Sequence, residues 1–381
     1  MIVTTALLWG TLSGLSQDIS LQLSLQTEAV PETSLPDSIN PEPPYKAKVN
    51  WLQALKSHRL DLDSPDVEWP GFLGFCVKAY NWFNDNFNTY DPEYVETSDK
   101  LWKVRLTSDN WVDLYYFHPT DAPYMRLSGN INPNLGAYVN FLALSVGYSI
   151  DLRTLTSGDK ARHKKFDLQL ACSRLVFEGH YWQNSESAYI RSVEGYKDGD
   201  WIRESFSGLT FRSVHASMMY VFNYRKFSYG AAYNLANYQI KSAGSFMAGV
   251  MGTFYDATFD MTKLPPDIAQ AAPLGIANYR LHYNSVLAIG GYSYNWVCNK
   301  HFMFNVSFFP AVGVSWNYAD SSDGNKVKLA LSGRQMFSLT YTNRQFFATL
   351  NSNMTFNMYQ SHRVGFLSAI ENFQLSTGVR F

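Results

Sequence analysis

Beyond its amino-terminus, the 381-residue chain has no apolar run long enough to form a membrane helix. Such a helix needs about 20 consecutive apolar residues. Net charge is also missing: 31 Lys and Arg face 32 Asp and Glu, a formal balance of −1. That removes the basic footprint of a nucleic-acid binder, so no nucleic-acid partner is expected. Cysteine is scarce. Cys76, Cys172 and Cys298 lie far apart, with neither a CxxC pair nor a metal-type spacing, and their odd number excludes a complete disulfide framework. No phosphate-binding loop, nucleotide fingerprint, HExxH or GxSxG occurs. No metal site and no cofactor are therefore expected.

What is present is aromatic. Phe, Trp and Tyr make up 16% of the chain, while charged residues make up only 17%. Mean hydropathy is −0.21. A transmembrane β-barrel fits this mixture, because every second residue of its strands faces a polar lumen. The carboxy-terminus carries the pattern. Phe373, Leu375, Thr377, Val379 and Phe381 alternate with Gln374, Ser376, Gly378 and Arg380. That is a period-two strand closed by an aromatic residue. Phe373, Leu375, Val379 and Phe381 are read as the closing-strand signal, with the last ring in the interfacial girdle.

The same alternation recurs upstream. In Phe302–Tyr318 the even positions are apolar and rimmed by aromatics, whereas the odd ones are mainly small or polar. Lys328–Thr342 and Phe346–Tyr359 repeat it. Further strands are predicted near Leu135–Leu152, Phe166–Trp182, Leu209–Tyr224, Ser228–Tyr238, Ser245–Phe259 and Asn284–Val297. Weaker ones fall near Leu101–Leu106, Trp111–Phe117 and Tyr124–Ile131. A soluble sandwich alternates too, but its strands usually run to about 5–6 residues. These reach the roughly 9–11 residues that cross a bilayer. The fold class predicted is all-β: a transmembrane antiparallel β-barrel of about twelve strands, within a range of ten to fourteen.

Four segments are expected. Residues 1–16 resemble a secretory signal without its positive start, with a cut before Gln17. Residues 17–50 form a disordered leader, with Pro31, Pro36, Pro41, Pro43 and Pro44 among polar residues. Residues 51–99 carry short helices over Trp51–Leu62 and Pro70–Phe87, the second with apolar residues at three- and four-residue spacing. Residues 100–381 form the barrel. Counting back from the last strand places the Asn299 and Asn343 turns in the periplasm. The 260–278 and 319–326 loops then lie outside. The 183–206 connection is too long for its assigned side, and a strand near Trp201–Phe206 would explain it.

The stretches Thr89–Val95, Tyr220–Ser228 and Lys241–Phe246 resemble a Bacteroidota family of predicted outer-membrane β-barrels of unknown function. The resemblance runs from about residue 65 to the end. It implies the fold and an outer-membrane location for the exported chain, and it carries no catalytic residues.

Chemistry is sparse. His215 and Ser217 share one face of a strand, as in outer-membrane phospholipases, but the neighbouring even positions are apolar, which turns His215 inward. Asp198 and Asp200 could meet a cation, yet the rest of a calcium loop is missing. Arg334, Arg380, His215, Asn305, Asn351 and Asn353 are the lumen-lining candidates. They would either line a water-filled path or fill a narrow interior. The first functional expectation is a narrow pore or transport barrel, not an enzyme. The alternatives are a structural or assembly component acting through protein partners, and a lipid-acting hydrolase. Outer-membrane lipid and the barrel-assembly machinery are the expected partners, together with proteins meeting the amino-terminal segment or loops.

Overall fold

The fold is that of a computed structural model of the chain. It describes residues 89–381 except 99, 101, 121–122, 130, 132, 142, 153–162, 185–187, 198–199, 272–276, 319–326 and 361–363. Before residue 89 it describes Val49, Asn50, Val67, Glu68, Lys78, Trp82 and Asn86. The expected signal segment, nearly all of the leader and the first helix lie outside the described residues. The chain divides into two units, residues 1–68 and residues 69–381. In the first, Val49–Asn50 pairs in parallel with Val67–Glu68. In the second, Lys78, Trp82 and Asn86 are helical, and the Asn86 amide donates to the Trp82 carbonyl at 2.7 Å.

Twelve antiparallel strands close into a barrel. They are β1 (Trp102–Pro119), β2 (Asn134–Phe141), β3 (Leu144–Asp151), β4 (His163–Ala171), β5 (Leu175–Asn184) and β6 (Leu209–Val221). Then follow β7 (Ala243–Asp260), β8 (Asn278–Val297), β9 (Phe302–Asn317), β10 (Val327–Thr342), β11 (Phe346–Gln360) and β12 (Val364–Arg380). β1 closes the ring by pairing with β12 on one side and β2 on the other. Backbone bonds between Trp102 and Phe381 (3.1 and 3.0 Å) bring the barrel's first and last residues together at its terminal end.

The number twelve agrees with the periodicity through errors that cancel. Leu135–Leu152 is not one strand but the β2–β3 hairpin, and Phe166–Trp182 is the β4–β5 hairpin. Both hairpins turn within two or three residues, too tightly to interrupt an alternating pattern. Leu101–Leu106 and Trp111–Phe117 belong to one strand, β1. Tyr124–Ile131 supplies only the short strand Met125–Ser128, which pairs with the distal half of β1 and with Ala188–Val193. Ala188–Val193 also pairs with Glu204–Phe206, so the long 183–206 connection holds two strands. Ser228–Tyr238 is not a wall strand at all. It begins with helix α1 (Tyr229–Tyr233) and ends in the short strand Asn237–Gln239, which pairs with Val95–Thr97.

Which face points inward separates a membrane barrel from a soluble sandwich. On β9, Asn305, Ser307 and Ser315 are buried, whereas Val306, Phe308, Val312 and Val314 are exposed. β6, β10 and β12 show the same apolar exterior over their terminal halves. A soluble monomer rarely exposes a contiguous apolar surface of more than a few hundred Å². The exterior is therefore a lipid-facing band.

That polarity inverts near the distal end of β6, β7 and β8. On β7, Phe246 and Val250 face out, but Asp256, Thr258 and Asp260 continue the same outer face. There Tyr255, Ala257 and Phe259 fill the inside. β6 switches between Val214 and Arg212, and β8 between Val286 and Asn284. These ends have the apolar-in, polar-out pattern of a water-soluble fold, so they stand clear of the band. One seam is irregular. Pro310 has no amide to donate, and the β8–β9 register passes over Gly290 and Gly291. A Cβ on Gly291 would lie 1.9 Å from the Phe308 carbonyl oxygen, so only glycine fits that close approach.

Candidate functional site in the barrel interior

Inward residues stack in three layers. The distal layer is aromatic: Tyr115, Phe117, Phe211, Tyr255, Phe259 and Phe366 pack with ring centroids 4.8–6.1 Å apart. Met261, Leu264 and Ile268, in a 3₁₀ turn and helix α2 (Pro266–Ala271) with their link, extend this cluster. Among the described residues, this cluster fills the distal end of the interior with side chains.

The middle layer is charged. β1 supplies Arg105 and Asp109, β4 supplies Lys165 and Asp167, β5 supplies Glu178 and His180, and β10 supplies Arg334. Lys165 Nζ lies 3.1 Å from Asp109 Oδ2, 3.2 Å from Asp167 Oδ2 and 3.2 Å from Asn372 Oδ1. His180 Nδ1 contacts Asp167 Oδ1 at 2.7 Å. Tyr138 donates to Asp167 Oδ2 at 2.6 Å, and the Arg105 guanidinium sits 4.1 Å above its ring. Arg334 pairs with Glu178 Oε2, and Glu178 Oε1 accepts from Gln169 (2.8 Å) and Tyr229 (2.9 Å). Three carboxylates face Lys165, Arg105 and Arg334. Such a cluster survives burial because Lys165 and Arg334 pair directly with carboxylates, while Arg105 rests on the Tyr138 ring.

The terminal layer is the chain itself. Between β6 and β7, residues 222–242 turn back into the barrel. Ser228 caps α1 by accepting from the Ala231 amide, and every residue of α1 is buried. Leu235 then takes a left-handed conformation (φ 60°), ending the helix at a position that usually holds glycine. Tyr233 donates to Asn305 Oδ1 at 2.5 Å, and the Ser338 hydroxyl donates to the Ala232 carbonyl at 2.9 Å. Gln239 locks the return. Its amide nitrogen reaches the carbonyls of Tyr94, Lys226 and Lys241, and its oxygen accepts from Ser228 and Asn295. Cys172, in the β4–β5 turn, is a packing thiol: burial pushes its pKa up to about 11.

The six lumen candidates all fall inside, but not in one site. Arg334, Asn351 and Asn353 line the charged middle layer. Asn305 holds Asn295 (2.6 Å) and Ser293 (3.1 Å) beneath α1. Arg380 donates to Thr342 and the Asn343 carbonyl, with Tyr238 and Phe347 rings on its guanidinium. His215 is buried between the hydroxyls of Ser213 (2.7 Å) and Thr253 (3.1 Å). Ser217 is buried on the same inward face. Asp198 lies outside the described residues, and no group that could hold a metal ion occurs among the described residues. The middle-layer cavity measures about 70 Å³, far below the 300–1,000 Å³ of a small-molecule site.

Asp109, Lys165, Asp167, Glu178 and Tyr138 were not legible as a cluster. One signal was available. Lys103, Arg105, Asp109 and Asp113 share the odd face of β1. Dividing β1 into two strands hides that run.

Tyr138 shows how tightly this layer is built. It pairs across β2–β3 with Gly147, and a Cβ there would lie 1.9 Å from the ring. Gly147→Leu is expected to expel the Tyr138 ring and remove a donor from Asp167. A loss of about 1–3 kcal/mol in urea unfolding should follow. Gly365→Leu, whose Cβ meets nothing closer than 3.7 Å, is the matched control.

Among solved structures the chain resembles several outer-membrane proteins. The outer-membrane protease OmpT of Escherichia coli is 8% identical, with 77% of this chain and 98% of that one covered and a TM-score of 0.32. The Pseudomonas putida toluene transporter TodX is 8% identical, covering 74% and 90%, with a TM-score of 0.25. OprG of Pseudomonas aeruginosa is 8% identical, covering 75% and 97%, with a TM-score of 0.23. Comparison with curated protein sequences gives no match. Residues 89–381, the barrel with the segment that pairs beneath it, match the domain of unknown function DUF4421, and the chain belongs to that family.

Proposed function

We propose that the protein is a sealed outer-membrane barrel that works as a membrane-anchored structural or assembly component, through partners, and not as a constitutive pore. The observation that carries this reading is the chain's own plug. α1 fills the terminal end, and the aromatic cluster fills the distal end. The narrow-pore reading, first in order on the sequence, needs an open lumen. The hydrolase reading needs an outward His–Ser pair, and His215 faces inward. The outer-membrane location rests on the lipid-facing band, and a Bacteroidota source rests on the resemblance read in the sequence. On this reading the terminal end is periplasmic, and the amino-terminal segment is the surface offered to protein partners. The assembly machinery acts on β12 and the residue that follows it, where Phe373, Leu375, Val379 and Phe381 form the closing row.

Planar-bilayer recording tests the proposal. The purified barrel, shown to be folded by its mobility shift on boiling in SDS, is expected to give no steady conductance. Exchange of residues 228–236 for a Gly-Ser linker removes the Tyr229 donor but should leave it closed, because the Arg334–Glu178 and Lys165–Asp109 pairs and the aromatic layer remain. Stable single-channel currents from the native chain would restore the pore reading.

A further inference from the structure

A second cavity lies outside the lumen. It is a groove of about 790 Å³ on the outer wall, at the distal half of β1 and β12. Its floor is apolar: Val112, Leu114, Leu367 and Ala369 come from the lipid-facing rows of those two strands. Ile131 and Trp201, 71% and 75% exposed, stand at its side.

Its rim is cationic. Arg126, Arg191 and Arg203 all line the groove. The short strands that extend the sheet beyond the twelve-strand ring place them there. Arg126 lies opposite Tyr116 in the pairing of Met125–Ser128 with β1. In Ala188–Val193 the register slips between Ile190 and Ser192, which leaves Arg191 as a bulge. Bulges re-aim side chains in this way. The Arg191 carbonyl accepts from the Ile202 amide (2.8 Å), fixing Trp201 and Arg203 beside it. Arg191 and Arg203 share the Tyr189 ring at 5.4 and 4.7 Å, and Arg191 Nε donates to Ser128 at 2.6 Å. No carboxylate pairs with any of the three among the described residues.

The height is right for a membrane boundary. From Val104 to Leu114, an outward row of Val104, Leu106, Val112 and Leu114 interrupted by Ser108 and Asn110, ten residues at ~3.3 Å each on a strand tilted ~40° span ~25 Å, the height of a barrel's apolar band. Tyr116 and Arg126 come next, at the level of the headgroups. An exposed tryptophan is characteristic of the same level.

We propose that this groove binds one phosphorylated membrane lipid, its acyl chain on the Leu114–Leu367 floor and its phosphate against Arg126, Arg191 and Arg203. Guanidinium groups bind phosphate oxygens in bidentate fashion, and aromatic stacking holds them in place for it. This proposal rests on the membrane-barrel reading above.

Native mass spectrometry of the detergent-purified barrel, offered equal phosphatidylglycerol and phosphatidylcholine, provides the test. One phosphatidylglycerol should be retained with about a tenfold preference. The triple variant Arg126→Gln, Arg191→Gln, Arg203→Gln should lose that preference while still shifting in mobility on boiling. If the triple variant does not fold, Arg203→Gln alone, which lies outside any strand, should lower the preference at least about threefold. Phosphatidylglycerol with brominated acyl chains should quench the native chain more than Trp201→Phe. Equal retention of the two lipids, or an unchanged preference in the folded variant, would overturn the site. So would a co-purifying protein that occupies the groove in place of lipid. Absence of the boiling shift in the native chain would instead overturn the membrane reading itself.

Discussion

Arg334→Ala should be the most damaging single change in the barrel, lowering its stability by about 3–5 kcal/mol. Arg334 and Glu178 are both nearly inaccessible, and their pairing joins β10 to β5 across the interior. Removing the guanidinium leaves Glu178 charged and buried. Its remaining donors, Gln169 and Tyr229, are neutral and cannot replace a cation. Tyr229 belongs to α1, so the loss should also loosen the plug. The double change Arg334→Met with Glu178→Gln removes both charges and should recover most of the stability. Urea unfolding of the reconstituted barrel, followed by tryptophan fluorescence, measures all three. A double variant no more stable than Arg334→Ala would show that the pair is not the coupled unit described here.

The second large effect concerns one face of one strand. Val250 and Thr258 both point outward from β7, on either side of the polarity switch. Val250→Arg puts a charge in the lipid-facing band and should cost about 2–4 kcal/mol. Thr258→Arg lies beyond the switch, beside Asp256 and Asp260, and should cost about 0–1 kcal/mol. The pair tests where the membrane ends. Equal costs at both positions would place β7 wholly inside or wholly outside the band. Alternation alone suggests a different control, Ser315→Arg, as an arginine entering a polar lumen. Ser315 is fully buried on β9, so that substitution would overpack a filled interior and cannot serve.

The residue patterns that predict the barrel are local. Period-two alternation in β9, β10, β11 and β12 reports the two faces of each strand directly, and an apolar exterior needs no knowledge of neighbours. Phe381, the closing row of β12 and the inward aim of His215 follow from the same rule. The tight β2–β3 and β4–β5 turns stayed hidden because alternation runs on through them almost unbroken. Ser228–Tyr238 looked like a strand because its apolar residues, Tyr229, Ala231 and Tyr233, also alternate. In the fold they pack against the inner wall from within, a partner that strand periodicity cannot reveal.

The amino-acid sequence by itself determined the class of fold and, on β9 to β12, which residues face outward, because both follow from side-chain direction on a single strand. Only the tertiary structure decided whether the lumen is open. That depends on Asp109, Lys165, Asp167, Glu178 and Arg334 meeting from four strands. It depends equally on a connection folding inward. Both are contacts between residues far apart in the chain, set by barrel closure rather than by any local preference.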